Sequence, residues 1–497
     1  MIYFAPVDNS MQTVFETEKS KKIAVPPNEP DQSSAELIPL SFAQQRLWFF
    51  SQLERDSALY NIPTALRLSG DLNISALEKS LNVIIERHEA LRTNFISDAG
   101  NPVQTIRSQA KLEISVFDLI SRTPQQREDE TEKLIMAESQ KPFDLTSDLL
   151  LRATLIRLDS REHILILNMH HIVSDEWSLR VLFQELTALY QNFVGGKSCS
   201  LPELPIQYAD YALWQRECLQ GENLKREIDY WKNQLGENFS PLELPTDHPR
   251  PALQTYNGVI RSLALPRNIL TSLNDLSRRE GVTLFMSLLA AFKALLHRYT
   301  SQEQIAIGSP ISGRNKIETE NLIGFFVNTL VLRTNVSGEI TFRELLARVR
   351  EVTLGAYAHQ ELPFEKLIEE LQPHRDAGNL SFIQVMFALH SSSESDLKLL
   401  GLEAKFLDVE TKTAKFDLTF VIRENAEGLT LVLEYNTDLF EGETIERMLR
   451  QYGRLLEGIV ENPEQKISRL NLWSEAERRQ VLVDWNQTAT DYPLDKC

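Results

Sequence analysis

The chain has 497 residues, 42% of them hydrophobic, which is material for more than one core and excludes disorder of the whole chain. Its 52 basic and 70 acidic residues give a formal net charge of −18, with no basic cluster large enough to form a phosphate-binding face, so nucleic acid is not expected as a partner. No apolar run reaches the roughly 18 residues of a membrane span, and the start MIYFAPVDNS lacks the basic-then-apolar order of a secretory signal.

Residues 1–38, with Pro6, Pro26, Pro27, Pro30 and the lysines Lys19, Lys21 and Lys22, read as a flexible leader, with order beginning near Pro39. A strand is expected at Ala65–Leu68. Ser75 and Glu78 then form a capping-box pattern ahead of Leu77, Leu81, Ile84 and Ile85 at helical spacing. A second strand-like run, Glu162–Val173, enters a turn at Ser174–Trp177. Leu179, Leu182, Phe183, Leu186, Leu189 and Tyr190 next mark an amphipathic helix that stops near Gly195 and Gly196. A connection containing the helical-looking YADYALWQR separates this half from a second one. There Thr283 caps an apolar helix, and strands are expected at Gln304–Gly308, Phe325–Arg333, Ser381–Leu389 and Leu429–Asn436. The class is α/β in two lobes. Neither half alternates strand and helix as a β/α barrel does, and no Gly-rich nucleotide turn occurs. Cys199, Cys218 and Cys497 make no disulfide framework, which fits a reducing, cytoplasmic compartment.

The stretch ILILNMHHIVSDEWS carries the chemistry. In an extended backbone Ile164, Ile166 and Asn168 share a face with His170, while Leu165, Leu167 and Met169 share one with His171. One histidine can then support the backbone while the other enters a cleft. Adjacent histidines without HExxH spacing do not converge on a metal, and no GxSxG elbow occurs. Asp175 can orient an imidazole or make a structural ion pair; in either case a buried aspartate calls for an arginine.

Taken in order, SFAQQRLWF at 41–49, RHEALRTNF at 87–95, MHHIVSDEWS at 169–178, YADYALWQR at 208–216, IGSPISGRN at 307–315, IGFFVNTLVLR at 323–333, HQELPFEKLI at 359–368 and AKFDLTF at 414–420 resemble the condensation domains of nonribosomal peptide synthetases. The resemblance covers about residues 39–470. It implies a fold similar to chloramphenicol acetyltransferase, with two lobes (39–208 and 225–470, joined by 209–224) set in a V around a central tunnel. The tail 471–497, with WNQTATDYP, resembles a linker and the start of a following adenylation domain. His171 is implied as the catalytic residue and His170 as its structural neighbour. Asp175 is implied to brace the loop through an ion pair with Arg92 or Arg314, and Asn328 to be a polar contributor from the second lobe. Arg46, Arg87 and Arg314 read as ion-pair members.

The implied reaction is amide formation. The amine of one carrier-tethered aminoacyl unit attacks the thioester of another, with no metal and no cofactor held by the chain itself. The 4'-phosphopantetheine arms belong to an upstream donor and a downstream acceptor carrier domain. The pattern looks most like the subtype joining an L-donor to an L-acceptor. A starter subtype that transfers a fatty acyl group and a noncatalytic carrier-docking or gating domain are the alternatives. One position departs from the family: Glu176 stands where the motif has glycine. Glu176 is expected either to face solvent or pair with Arg180, four residues on, or to gate the acceptor channel.

Overall fold

The computed structural model describes residues 38–196, 201–236, 239–371, 382–391 and 401–487. The expected leader up to residue 37, Cys199, Cys497 and the last ten residues of the tail lie outside them.

Alternation of side chains along Glu162–His170 feeds two cores. Leu165, Leu167 and Met169 join Leu66 and Leu68 in a large core under the helices Ile74–Arg87 and Glu176–Gly195. Ile164 and Ile166 point the other way, to Ala65 and Ile156 and to Leu134 and Ile135 of the helix Pro124–Gln140. This strand is third in a five-stranded sheet ordered Leu402–Leu407, Asn61–Gly70, Glu162–His170, Leu151–Arg157, Ser115–Asp118. A small sheet of Ile38–Pro39, Asn101–Ile106 and Thr93–Asp98 flanks it.

The second half builds a six-stranded mixed sheet in the order Asn328–Asn335, Gln304–Ile311, Val385–Ser391, Leu418–Asn425, Gly428–Asn436, Gly258–Pro266. The helices Arg267–Glu280, Leu284–Thr300, Phe342–Ala358 and Gly442–Glu461 contribute its core. Among the described residues no single helix is long and apolar enough to cross a membrane.

Several expectations shift at their edges. The helix Ile74–Arg87 is capped by Asn73, whose Oδ1 takes the Ala76 N–H at 3.0 Å, rather than by Ser75; Glu78 turns away to accept the Ile114 N–H at 3.2 Å. The histidine strand stops at His170, and His171–Val173 forms a single 3₁₀ turn. The expected strand at Phe325 begins only at Asn328, because the N–H groups of Ile323, Gly324 and Phe326 are taken by side chains of the other half. Two pieces of the second half also cross over. Leu402–Leu407 pairs antiparallel with Asn61–Gly70, and Leu322, Ile323, Phe325 and Phe326 pack into the first core.

Candidate active site

His170 closes the central strand and His171 opens the 3₁₀ turn after it, and the backbone assigns each a role. The His171 N–H donates to Tyr60 O at 2.8 Å, which fixes the turn. His171 Nδ1 lies 2.8 Å from Ser174 O; a carbonyl only accepts, so Nδ1 carries the proton and Nε2 keeps its lone pair. His170 is reversed, since its Nδ1 accepts the Ile172 N–H at 3.1 Å. The His171 ring is half-buried, 4.6 Å from Phe325 of the second half and 6.4 Å from Tyr60. Burial, then the charge of Lys415, push the His171 pKa down to about 3, against the opposing pull of the Ser174 carbonyl. Burial, then His171 and Lys415, bring His170 to about 3 as well. Both imidazoles are neutral at physiological pH.

Asp175 ends the turn and caps the next helix through Ser178 N–H at 2.8 Å. Its carboxylate is fully buried and shared between the halves. Oδ1 accepts from Arg314 Nη2 at 3.0 Å and from Ser178 Oγ at 2.7 Å, and Oδ2 accepts the Phe326 N–H at 3.0 Å. The Arg314 side chain is fully buried too; it donates to Leu322 O at 2.8 Å and lies 4.1 Å over the Phe326 ring. Ser178 Oγ accepts the Gly324 N–H at 3.0 Å. Arg314 is therefore the partner of Asp175. Arg92 is not: it pairs with Glu89 at 3.3 Å and donates to Arg107 O, because its short 3₁₀ helix turns it to its own strand pair.

The crossing segment 322–326 is also held from below. His88 Nδ1 accepts the Ile323 N–H at 3.3 Å and Nε2 faces Glu185 at 2.9 Å, which Arg87 also pairs at 2.9 Å. Tyr208 donates to Phe325 O at 2.5 Å and meets Ser41 Oγ at 2.9 Å, while Gln44 Nε2 reaches Ile172 O at 3.3 Å. Four of the ordered sequence motifs thus converge on one turn and the strap across it.

Residues 34–482 match the family described as Condensation domain. The chain belongs to that family. Condensation domains form amide bonds in nonribosomal peptide synthesis, and the relatives are synthetases. A linear gramicidin synthase of Brevibacillus parabrevis is 49% identical over 464 residues, which are 92% of this chain and 9% of the relative. The condensation domain thus spans about a tenth of the length of that curated relative. Among solved structures, the X-domain from teicoplanin biosynthesis, seen in complex with OxyB, has a TM-score of 0.82 at 28% identity, covering 92% of this chain and 99% of that one. The first condensation domain of the calcium-dependent antibiotic synthetase shares the fold, with a TM-score of 0.73 at 21% identity over 88% of this chain and the whole of that one.

In this condensation domain Asn328 lines a cavity, where a polar contributor from the second lobe could act, and Glu176 is half-buried. Asn328 is spent on local backbone: Nδ2 donates to Gln360 O and Leu362 O at 2.9 and 2.8 Å, and Oδ1 accepts Phe364 N–H at 3.0 Å. It borders the cavity formed with Ser41, Trp214, Phe325 and Glu365, as part of the wall. Glu176 makes no close ion pair with Arg180, although each charge acts on the other; the Arg180 guanidinium lies 3.9 Å over the Trp177 ring. Among the described residues the enclosed Glu176 Oε2 has no hydrogen-bond partner, and burial, then Asp175, hold its pKa well above the usual carboxylate range. Sequence reasoning missed Ser178, although an Asp followed three residues later by Ser before an apolar run is a capping pattern. It also passed over Lys415, a lone cation ahead of an apolar strand. Among the described residues no group of three or more metal-ligating side chains converges.

Proposed function

We propose that this domain joins two carrier-tethered units, with His171 as the catalytic residue. The carrying observation is an imidazole at the seam between the two halves whose Nδ1 proton is committed to Ser174 O. Nε2 is then free to accept a hydrogen bond from the attacking amine. An α-amine titrates near 7.7–8.0, so about a tenth or more is neutral near pH 7 and an imidazole with a low pKa suffices to align it. That low basicity favours alignment and late proton transfer over complete deprotonation of an ammonium. His170 and the Asp175–Arg314 clasp hold the turn.

The reading extends to two acetyltransferase-like lobes in a V, with phosphopantetheine arms entering a tunnel from carriers on either side. The subtype proposed is L-donor to L-acceptor, in a longer synthetase continuing into an adenylation domain. Glu176 is proposed to gate the acceptor side, on the strength of its enclosed carboxyl next to the clasp. A second reading, a docking domain, draws on the likeness to the X-domain solved with OxyB. Reconstitution with separately loaded donor and acceptor carriers decides. Tethered amide product, lost by about 10²–10⁴-fold in His171→Ala, supports condensation. Carrier binding with no product from any donor supports docking, and preference for fatty acyl over peptidyl donors supports the starter subtype.

A further inference from the structure

Three cations act on the histidine pair: Arg46, Arg152 and Lys415. Arg46 is paired with Glu365 at 3.1 Å, and Arg152 lies 3.7 Å over Phe143 and donates to Pro142 O at 3.4 Å and to Lys141 O. Lys415 differs in its geometry. It arrives from the second half, in the turn before Leu418–Asn425, and that turn is pinned by Arg250 on Asp417 at 3.0 Å and by the Ala414 N–H on Tyr256 O at 2.8 Å. Its ammonium lies 4.9 Å from the centre of the Tyr60 ring, the residue whose carbonyl holds His171 and whose ring is 6.4 Å from both imidazoles. Among the described residues it makes no ion pair, and the residue is half-buried. The carboxyl of Glu434 is the nearby counter-charge. It is buried on Gly428–Asn436 and engaged by Thr419 Oγ1 at 3.4 Å and by the Lys415 backbone N–H.

We propose that Lys415 stabilises the oxyanion formed on the donor carbonyl, reaching across the seam to the site that His171 defines. The inference rests on the condensation reading. The amine lone pair forms the C–N bond while the C=O pair moves onto oxygen. Collapse then reforms C=O and breaks C–S with the pair leaving on sulfur, and the amine proton passes by way of His171 Nε2 to give the thiol. Negative charge exists only between these steps, so a fixed cation there lowers the barrier without tightening the ground state. The same cation disfavours an imidazolium and an acceptor that is still an ammonium. Burial holds Lys415 below ordinary lysine values and the Glu434 charge opposes this; His170, His171, Tyr60 and Arg46 complete the titratable and charged surroundings.

The test is single-turnover amide formation with loaded carriers from neutral to alkaline pH, beside melting curves. Lys415→Met is expected to lower kcat by about 10²–10³-fold with KM for both carriers nearly unchanged. Wild type should lose rate in an alkaline limb as Lys415 deprotonates. Lys415→Arg should keep most activity and move that limb up, and Glu434→Gln should move it down. Wild-type kcat in Lys415→Met, or a slower enzyme whose limb stays in place in Lys415→Arg and Glu434→Gln, overturns the inference while condensation stands. Failure of wild type to form amide from any donor overturns both.

Discussion

His170 and His171 are neighbours with opposite hydrogen-bond polarity, and this makes acid stability a residue-scale property. Both have folded pKa values near 3, below the unfolded value near 6.5. The unfolded chain therefore binds more protons between those limits, so stability is full above about pH 6.5 and falls as pH drops toward 3. Each histidine contributes at most about 1.4 kcal/mol per pH unit. Urea unfolding of His170→Gln at pH 7 and in mild acid should show a shallower acid loss than wild type. Glu176 runs the other way. Its folded pKa is raised, so the stability associated with its neutral form is present below about pH 4.3 and is lost as pH rises through the folded value. Glu176→Gln should therefore melt higher than wild type at neutral pH and equally near pH 4. If the carboxyl gates the acceptor, Gln or Gly will also reorder a panel of acceptors loaded on one carrier. Sequence alone identified this position as unusual and left it between a surface group near Arg180 and a gate, because helical spacing to Arg180 says nothing about how deeply the carboxyl is buried beside Asp175.

At the scale of elements, the turn between the histidine strand and its helix is one clasp. Asp175 caps the helix, receives the Phe326 N–H and neutralises Arg314, and Arg314 in turn gathers carbonyls of residues 319 and 322. Removing the carboxylate strands a buried guanidinium and uncaps a helix. Asp175→Ala should cost about 3–5 kcal/mol, measured by chemical unfolding, as well as condensation rate. Asp175→Asn, which can still cap, should lie between. An isolated rate loss with unchanged melting would show that the carboxylate acts on substrate instead. Burial of an acid demands a cation, which made an arginine partner for Asp175 legible; the two candidates, Arg92 and Arg314, came from the family resemblance. The choice between them was not legible, since it depends on a 3₁₀ helix that ties Arg92 to Glu89.

Across the whole molecule, the α/β class and most of the elements named for each half were legible from periodicity, and the ordered motifs pointed to the histidine turn as the candidate site. Hidden from any local pattern was the exchange between halves: Leu402–Leu407 in the first sheet and residues 322–326 in the first core. Such pairings are set by tertiary contact rather than by propensity. The strap 322–326 is what couples global packing to the site, since Phe325 rests 4.6 Å from His171. Gly324 sets its path: a Cβ there would come 2.0 Å from Cδ2 of Tyr208, a fully buried ring fixed by Phe325 O and Ser41. Gly313 answers from the other side, at φ +65° with Phe326 O 2.0 Å from where its Cβ would be. Neither ring nor backbone can yield without moving Phe325. Gly324→Ala should therefore destabilise by about 1–3 kcal/mol and slow amide formation by more than its folded fraction explains. Gly458→Ala is the control. It lies in the helix Gly442–Glu461 with its nearest neighbour at 3.7 Å, so it should be neutral or stabilising by up to about 1 kcal/mol at wild-type rate. Melting curves and single-turnover rates of the two variants, measured together, separate a strap that positions the His171 turn from one that merely fills the first core. If Gly324→Ala loses stability but keeps the wild-type rate per folded molecule, the strap only fills space.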